Sequence, residues 1–318
     1  MKRIAVLDAA TLGDDLDLSR FREFGEVTVY RETTAQNAAK HLAGAQIAVL
    51  NKVRLTAEVL EQAPELELIC EAATGFDNID LAYCRAHGIA VCNVVGYSAP
   101  CVAQLTVSMV LSLITRLETF GAYVRSGDYT KSGVPNRLAP VFHEIAGKTW
   151  GIVGYGNIGR QVAKVADALS CRVLVNKRTP VPERECVSIE EICRRSDILS
   201  VHTPLNDQTK NLLDADHIAM MKPTAIVVNV ARGAVTDEAA LAAAIREGRL
   251  GGIGVDVYSE EPFPTDHPFY AIKSYPNVIL TPHMAWGGYE TRVRLLEEML
   301  KNVRAFLAKE TRNRVNLK

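Results

Sequence analysis

Short apolar runs alternate along the chain with longer segments in which apolar positions recur every three or four residues. Runs of this length read as strands buried on both faces, and the longer period reads as helices laid against them. A first set of strands is predicted at IAVLD (4–8), VTVY (27–30), IAVL (47–50), LELIC (66–70) and IAVCNV (89–94). A long helical stretch from about 100 to 125 follows. The second set comprises TWGIVG (149–154), CRVLVN (171–176), DILSVH (197–202), AIVVNV (225–230), GIGVDV (252–257) and NVILTP (277–282). Between the sets, SGDYTKSGVPNRLAP (126–140) reads as a loop. The alternation predicts an α/β chain of two doubly wound, parallel-sheet halves with helices on both faces. A last helix, about 288–309, follows the second set, and periodicity does not say where it packs.

A length of 318 residues also suggests about two domains. Hydrophobic content is 48%, and 36 basic against 37 acidic residues leave a formal charge of −1. That balance gives no support for a nucleic-acid or anionic-membrane surface. Seven scattered cysteines without a C-x-x-C pair suggest apolar core residues in a reducing compartment, with neither a disulfide framework nor a metal cluster. No apolar run approaches the roughly 18 residues of a membrane span and no signal sequence precedes the first strand, so the expected location is cytoplasmic.

Chemistry enters at GIVGYGNIGR, where Gly154, Gly156 and Gly159 form G-x-G-x-x-G after a strand and before the helix-like QVAKVADAL. The first glycine turns the chain, the second lets backbone approach a pyrophosphate, and the third packs helix on strand. The helix N-terminus then offers N–H groups to phosphate. An acid that accepts from the adenosine ribose of NAD is expected about 20 residues further on. That place is held by Lys177, followed by Arg178. Two bases favour the 2′-phosphate of NADP over NAD; the plainer reading is a solvated strand end.

Three later segments each follow a strand: NVARGAVTDEAAL, GVDVYSEEPFP and NVILTPHMAW. Hydride transfer to a 2-oxo acid needs a cation for the carboxylate and carbonyl, and an acid for the forming alkoxide. Arg232 suits the first role and His283 the second, with Glu261 as the carboxylate that favours a charged imidazole. Taken singly, Arg232 reads equally as a solvated loop residue and Glu261 as one of two surface acids with Glu260. The other six histidines read as structural.

With these segments in this order, joined by HTPLNDQTKNLL, the chain resembles the D-isomer-specific 2-hydroxyacid dehydrogenases over nearly its whole length. The resemblance implies two Rossmann-like domains. A discontinuous substrate domain would take 1–98 and 287–318, including the last helix, and a dinucleotide-binding domain 99–286. It implies Arg232, Glu261 and His283 as catalytic residues, with Arg232 and His283 also binding substrate. Asp256 would lie near the nicotinamide carboxamide. Cofactor positions would further include Asn157, Ile158, Thr179, Thr203, Pro204, Thr209, Val230 and Ala231. In AATGFDNID, Thr74 and Gly75 would give backbone N–H groups to the substrate carboxylate. A homodimer is the usual assembly. NKVRLTAEVL, AATGFDNID, VAQLTVSMVL and HMAW most resemble the glycerate dehydrogenase and hydroxypyruvate or glyoxylate reductase branch, and the bases at 177 and 178 resemble its NADPH-using members. A phosphoglycerate-type enzyme and a cofactor-sensing corepressor-like protein are alternatives. Formate dehydrogenase is disfavoured, because it has glutamine where Glu261 stands.

Overall fold

Strands with almost no exposed side chain form the middle of both sheets, which is what their unbroken apolar runs require. The computed structural model describes residues 1–317 and divides the chain into two units. In the first, Met1–Ser98 with the chain from Gly287 onward, β1 (Lys2–Val6), β2 (Gly25–Val29), β3 (Ile47–Leu50), β4 (Leu68–Glu71) and β5 (Ala90–Cys92) pair in parallel in the order 2-1-3-4-5. Helices α1 (Ala38–Leu42), α2 (Ala57–Glu61) and α3 (Leu81–Ala86) connect successive strands. The first strand ends two residues before the expected IAVLD run does. Asp8 takes a left-handed φ of 29° there, and its carboxylate accepts from the N–H groups of Asn51 at 3.1 Å and Lys52 at 2.6 Å.

The second unit, Ala99–Trp286, holds seven parallel strands. They are β6 (Thr149–Val153), β7 (Arg172–Asn176), β8 (Glu185–Cys186), β9 (Ile198–Val201), β10 (Ile226–Asn229), β11 (Gly252–Val255) and β12 (Val278–Leu280), in the order 12-11-10-9-6-7-8. The expected helical stretch from about 100 to 125 is two helices, α4 (Ala99–Thr115) and α5 (Leu117–Arg125), because Arg116 adopts a left-handed φ of 55°. The expected loop that follows contains a short α6 (Asp128–Ser132). Further on come α7 (Asn157–Ala168), α8 (Ile189–Arg195), α9 (Ala215–Ala219) and α10 (Glu238–Arg246). Ser188, Asp214 and Asp237 cap the last three by accepting from a backbone N–H three residues on, each worth about 1 kcal/mol. Helix α4 lies close on β11, where a Cβ on Gly254 would come within 3.0 Å of Met109 Sδ. Among the described residues no single helix is long and apolar enough to cross a membrane; α4 and α5 pass such a test only as a pair bent by 66°. Buried Val102, Met109, Val110 and Leu113 place α4 in the core of its own unit.

The chain's last helix, α11 (Tyr289–Leu307), belongs to the first unit and packs on β4. Leu295, Leu296, Met299, Leu300 and Val303 make its buried stripe, and Asn302 donates to Asn93 O at 2.9 Å. Residues far apart in sequence thus complete one core.

A buried acid in this unit gives a stability prediction. Glu71 ends β4 with no exposed surface; its Oε2 accepts from Asn78 at 3.2 Å and its Oε1 has no hydrogen-bond partner among the described residues. Burial pushes its carboxyl well above the usual carboxylate range; Asp8 and Asp77 add to the rise, while Asn78 and Lys52 oppose it. Since the folded-state value exceeds the unfolded value of about 4.3, the stability from binding this proton is full below the unfolded value. It is lost as pH rises through the folded one. Glu71→Gln should therefore gain stability over the parent by on the order of 1 kcal/mol near pH 9 and gain little near pH 4. Thermal melts at the two pH values check this, and an equal difference at both would show that the fold does not raise the Glu71 carboxyl.

Candidate active site

The glycine turn joins β6 to α7. Gly154 has φ 93°, and a Cβ there would stand 2.7 Å from the backbone of His202 and Thr203, so only glycine lets β6 turn so close to the end of β9. At Gly159 a Cβ would meet Gly154 O at 2.3 Å. Gly156 differs: it is exposed, and nothing lies within 4 Å of where its Cβ would be. It is the N-cap of α7, no side chain caps that end, and the N–H groups of Asn157, Ile158 and Gly159 lie in the first turn, where an α-helix has no acceptor of its own. Open backbone at an uncapped helix end fits a pyrophosphate.

Beyond β7, Lys177 is half-buried while Arg178 and Thr179 are exposed. A third base lies in this region. Arg160 stands over the Tyr155 ring at 4.6 Å from its centroid and pairs with Glu183 at 2.5 Å. Arg160 holds the Glu183 carboxyl below its ordinary range, and Lys177 adds to the same effect. Arg160 follows the last glycine of the motif directly, so its place beside the phosphate turn is readable from sequence; its carboxylate partner is not.

The loop after β9 carries Thr203, Pro204 and Thr209. The Thr209 hydroxyl donates to Pro204 O at 2.6 Å and accepts from the Asn206 N–H at 2.8 Å, which closes the loop on itself. After β10 come buried Val230, then Ala231 and Arg232. Asn229 folds this turn: its Oδ1 accepts from Ala231 N at 3.0 Å and its Nδ2 donates to Arg232 O at 2.9 Å. Arg232 Nη1 donates to Ala231 O at 2.8 Å. A Cβ on Gly233 would meet the Tyr258 carbonyl carbon at 2.1 Å, so the arginine turn packs directly on the Tyr258–Ser259 backbone.

His283 follows β12. Its Nδ1 lies 2.7 Å from Glu261 Oε2, with the two side chains only 20% and 31% exposed. A carboxylate accepts, so Nδ1–H donates. The backbone at His283 is left-handed, φ 50°, which a β-carbon tolerates poorly and which packing must hold in place. Asp256 does the holding. Fully buried, it accepts from Thr281 Oγ1 at 2.6 Å, Met284 N at 2.9 Å and Ala285 N at 2.9 Å, bracketing the histidine on both sides. Burial raises the Asp256 carboxyl and these donors, with the charge of His283, pull it back. Tyr258, between Asp256 and Glu261, ties the two loops: its N–H donates to Glu261 Oε1 at 3.0 Å and its hydroxyl to Thr281 O at 2.9 Å.

In the first unit, the Thr74 hydroxyl donates to Val94 O at 2.8 Å and Thr74 O accepts from Asn93 Nδ2 at 2.7 Å, which fixes the peptide that leads into Gly75. Of the six histidines expected to be structural, His41 and His87 stack on Tyr30 and Tyr83. His217 pairs with Asp214 at 2.7 Å and buried His267 with Glu238 at 3.1 Å. Sequence reading missed Tyr258, Glu238 and Arg160. All seven cysteines are free thiols.

Comparison with known proteins decides the lineage. Residues 107–285 match the family model described as D-isomer specific 2-hydroxyacid dehydrogenase, NAD binding domain. The chain belongs to this family. It is 38% identical over 313 residues to a glycerate dehydrogenase of Methylorubrum extorquens, covering 98% of each chain. It is 37% identical over 262 residues to a glyoxylate reductase of Aeropyrum pernix, covering 80% of this chain and 77% of the relative. The TT0316 protein of Thermus thermophilus superposes with a TM-score of 0.88 at 34% identity, covering 98% of this chain and 99% of the other. The protein is therefore an oxidoreductase, a D-2-hydroxyacid dehydrogenase that uses a nicotinamide cofactor.

Proposed function

We propose that the protein reduces glyoxylate or hydroxypyruvate to the D-2-hydroxy acid, with NADPH preferred, and runs the reverse reaction as a glycerate-type dehydrogenase. The observation that carries this reading is the 2.7 Å contact between His283 Nδ1 and Glu261 Oε2 on loops that Tyr258 joins, with the Arg232 turn packed on the same residue. The names of the relatives support the choice of substrates.

When bound, a reduced nicotinamide supplies hydride to C2 of the oxo acid. Arg232 holds the substrate carboxylate with its planar fork and polarises the carbonyl. His283, its Nδ1–H held by Glu261, gives the Nε2 proton to the oxygen as the C=O π bond breaks. One hydride and one proton thus account for the new C–H and O–H bonds, and in the oxidative direction His283 takes the proton back. Gly154, Gly156, Asn157, Ile158 and Gly159 are proposed to hold the pyrophosphate, and Lys177 with Arg178 the 2′-phosphate. Thr179, Thr203, Pro204, Thr209, Val230 and Ala231 are proposed to line the rest of the cofactor. Asp256 is proposed to act at the nicotinamide end through the loop it anchors. For the first unit we propose a substrate-domain role, with Thr74 and Gly75 giving N–H groups to a carboxylate. A reducing, cytoplasmic compartment suits the free thiols.

Loss of nicotinamide absorbance with glyoxylate, hydroxypyruvate, pyruvate and phosphohydroxypyruvate, each with NADPH and NADH, tests the reading. The largest kcat/KM is expected for one of the first two with NADPH. A phosphorylated substrate in first place would overturn it.

The proposed partner is a second copy of the chain. Helix α5 has no buried residue although Leu117 and Val124 are apolar, and Leu138 and Val141 downstream are 72% and 71% exposed. Such a run of apolar surface is costly in a monomer. Sedimentation equilibrium should show a dimer for the parent and a monomer for Leu138→Asp with Val141→Asp; a monomeric parent would sink this assignment.

A further inference from the structure

The loop that carries Glu261 is held from behind by a carboxylate with no part in the chemistry so far. Glu238 opens α10 after the Asp237 cap, and its side chain is 10% exposed. Its Oε1 accepts from the Ser259 N–H at 2.9 Å, its Oε2 accepts from the Ser259 hydroxyl, and His267 Nε2 lies 3.1 Å from that Oε2. His267 Nδ1 accepts from the Phe269 N–H at 3.2 Å, so that nitrogen bears no proton and the ring's proton sits on Nε2, directed at Glu238. Three donors converge on one carboxylate. Tyr258, Phe263 and Phe269 pack around the imidazole and keep it in place.

Ser259 belongs to a two-residue junction. Through Tyr258 it reaches Glu261 by the N–H at 3.0 Å and the His283 loop by the hydroxyl on Thr281 O at 2.9 Å. Through the backbone of both residues it meets Gly233, next to Arg232. Every loop assigned a catalytic side chain touches Tyr258–Ser259, and the side chain that fixes this dipeptide from the far side is Glu238.

We propose that Glu238, with His267 as its second anchor, is a positioning residue: by clamping Ser259 it sets the Tyr258 N–H against Glu261 Oε1, which turns Glu261 Oε2 onto His283 Nδ1. This rests on the acid/base reading of Glu261 and His283. Glu238 acts through the backbone and hydroxyl of Ser259. Its loss therefore affects proton transfer before binding. A misplacement of about 1 Å far from the chemistry costs up to 10²-fold in rate.

The experiment compares Glu238→Ala, Glu238→Gln, His267→Gln and His283→Ala with the parent, well below each melting point, reading kcat, both KM values and the solvent deuterium isotope effect on kcat. Glu238→Ala should lower kcat by roughly 10- to 10²-fold, leave the cofactor KM within about twofold, and raise the isotope effect as proton transfer slows. Glu238→Gln keeps an acceptor for the Ser259 N–H and should recover most of the rate. His267→Gln keeps a donor toward Glu238 and should lie between the two. If Glu238→Ala does not fold, Glu238→Gln and His267→Gln carry the test, each expected to raise the isotope effect. Variants that melt earlier but keep the parental kcat and isotope effect would overturn the proposal and leave Glu238 as structural support. Full activity in His283→Ala would instead overturn the acid/base reading, so the two failures are distinct.

Discussion

His283→Ala should lower kcat for oxo-acid reduction by roughly 10²- to 10⁴-fold, the usual worth of a positioned general acid, while cofactor binding changes little. The size follows from the geometry. Glu261 accepts from His283 Nδ1 at 2.7 Å, so the imidazole presents Nε2 in one orientation, and the left-handed backbone at 283 is maintained by the Asp256 carboxylate on both sides of it. Water in place of the ring has neither the proton affinity nor the placement to substitute. Glu261→Gln should have a smaller effect, because an amide oxygen still accepts from Nδ1 but brings no negative charge to the imidazolium. Steady-state rates with cofactor binding measured separately by nicotinamide fluorescence check the pair. A His283→Ala rate within about threefold of the parent, equivalent to about 0.6 kcal/mol, would remove histidine from the mechanism.

Much of this site is legible in the sequence, for physical reasons. Parallel strands buried on both faces leave unbroken apolar runs, so IAVL at 47–50 and the later runs announce themselves. The glycine turn is legible because two of its glycines answer a steric demand: a Cβ at 154 or 159 would strike backbone, whereas nothing lies within 4 Å of one at 156. Strand β8 is not legible, since Glu185–Cys186 is a two-residue edge strand with no apolar run. Nor is the break at Arg116, a single left-handed residue inside a stretch whose periodicity is otherwise helical.

The network behind the loops of Glu261 and His283 is hidden for another reason. Glu238 and Ser259 are 21 residues apart, and Glu238 and His267 are 29 apart. Contacts at such separations leave no period or spacing to read. His267 looks like any core histidine until its carboxylate is seen. Asp256 is similar: it directly follows β11 in the sequence, but only the folded chain brings both its oxygens onto the 281–285 segment. Side chains whose chemistry a motif names can be read from the chain, and those that act by holding backbone cannot.

Lys177→Asp should move the cofactor preference, read as the ratio of kcat/KM for NADPH to that for NADH, toward NADH by on the order of 10²-fold. Two effects act in the same direction. The cation that attracts a 2′-phosphate is lost, and a carboxylate appears where it repels that phosphate and accepts from the 2′- and 3′-hydroxyls of NADH. Charge-assisted hydrogen bonds from both Lys177 and Arg178 would allow up to about 10⁴-fold in principle, and three features reduce this. Arg178 is exposed, so solvent and salt screen it. Glu183 already lies within the field of Lys177 and pairs with Arg160, so the local positive charge is partly offset before any phosphate arrives. Arg178 also remains in the variant. On the proposed reading, raising ionic strength should shrink the parent's ratio and move the variant's less, because in the variant the repulsion of the new carboxylate is set against the attraction of Arg178. A parent that prefers NADH, with a ratio unmoved by Lys177→Asp, would make the two bases at the end of β7 a solvated strand terminus and assign cofactor choice to other residues.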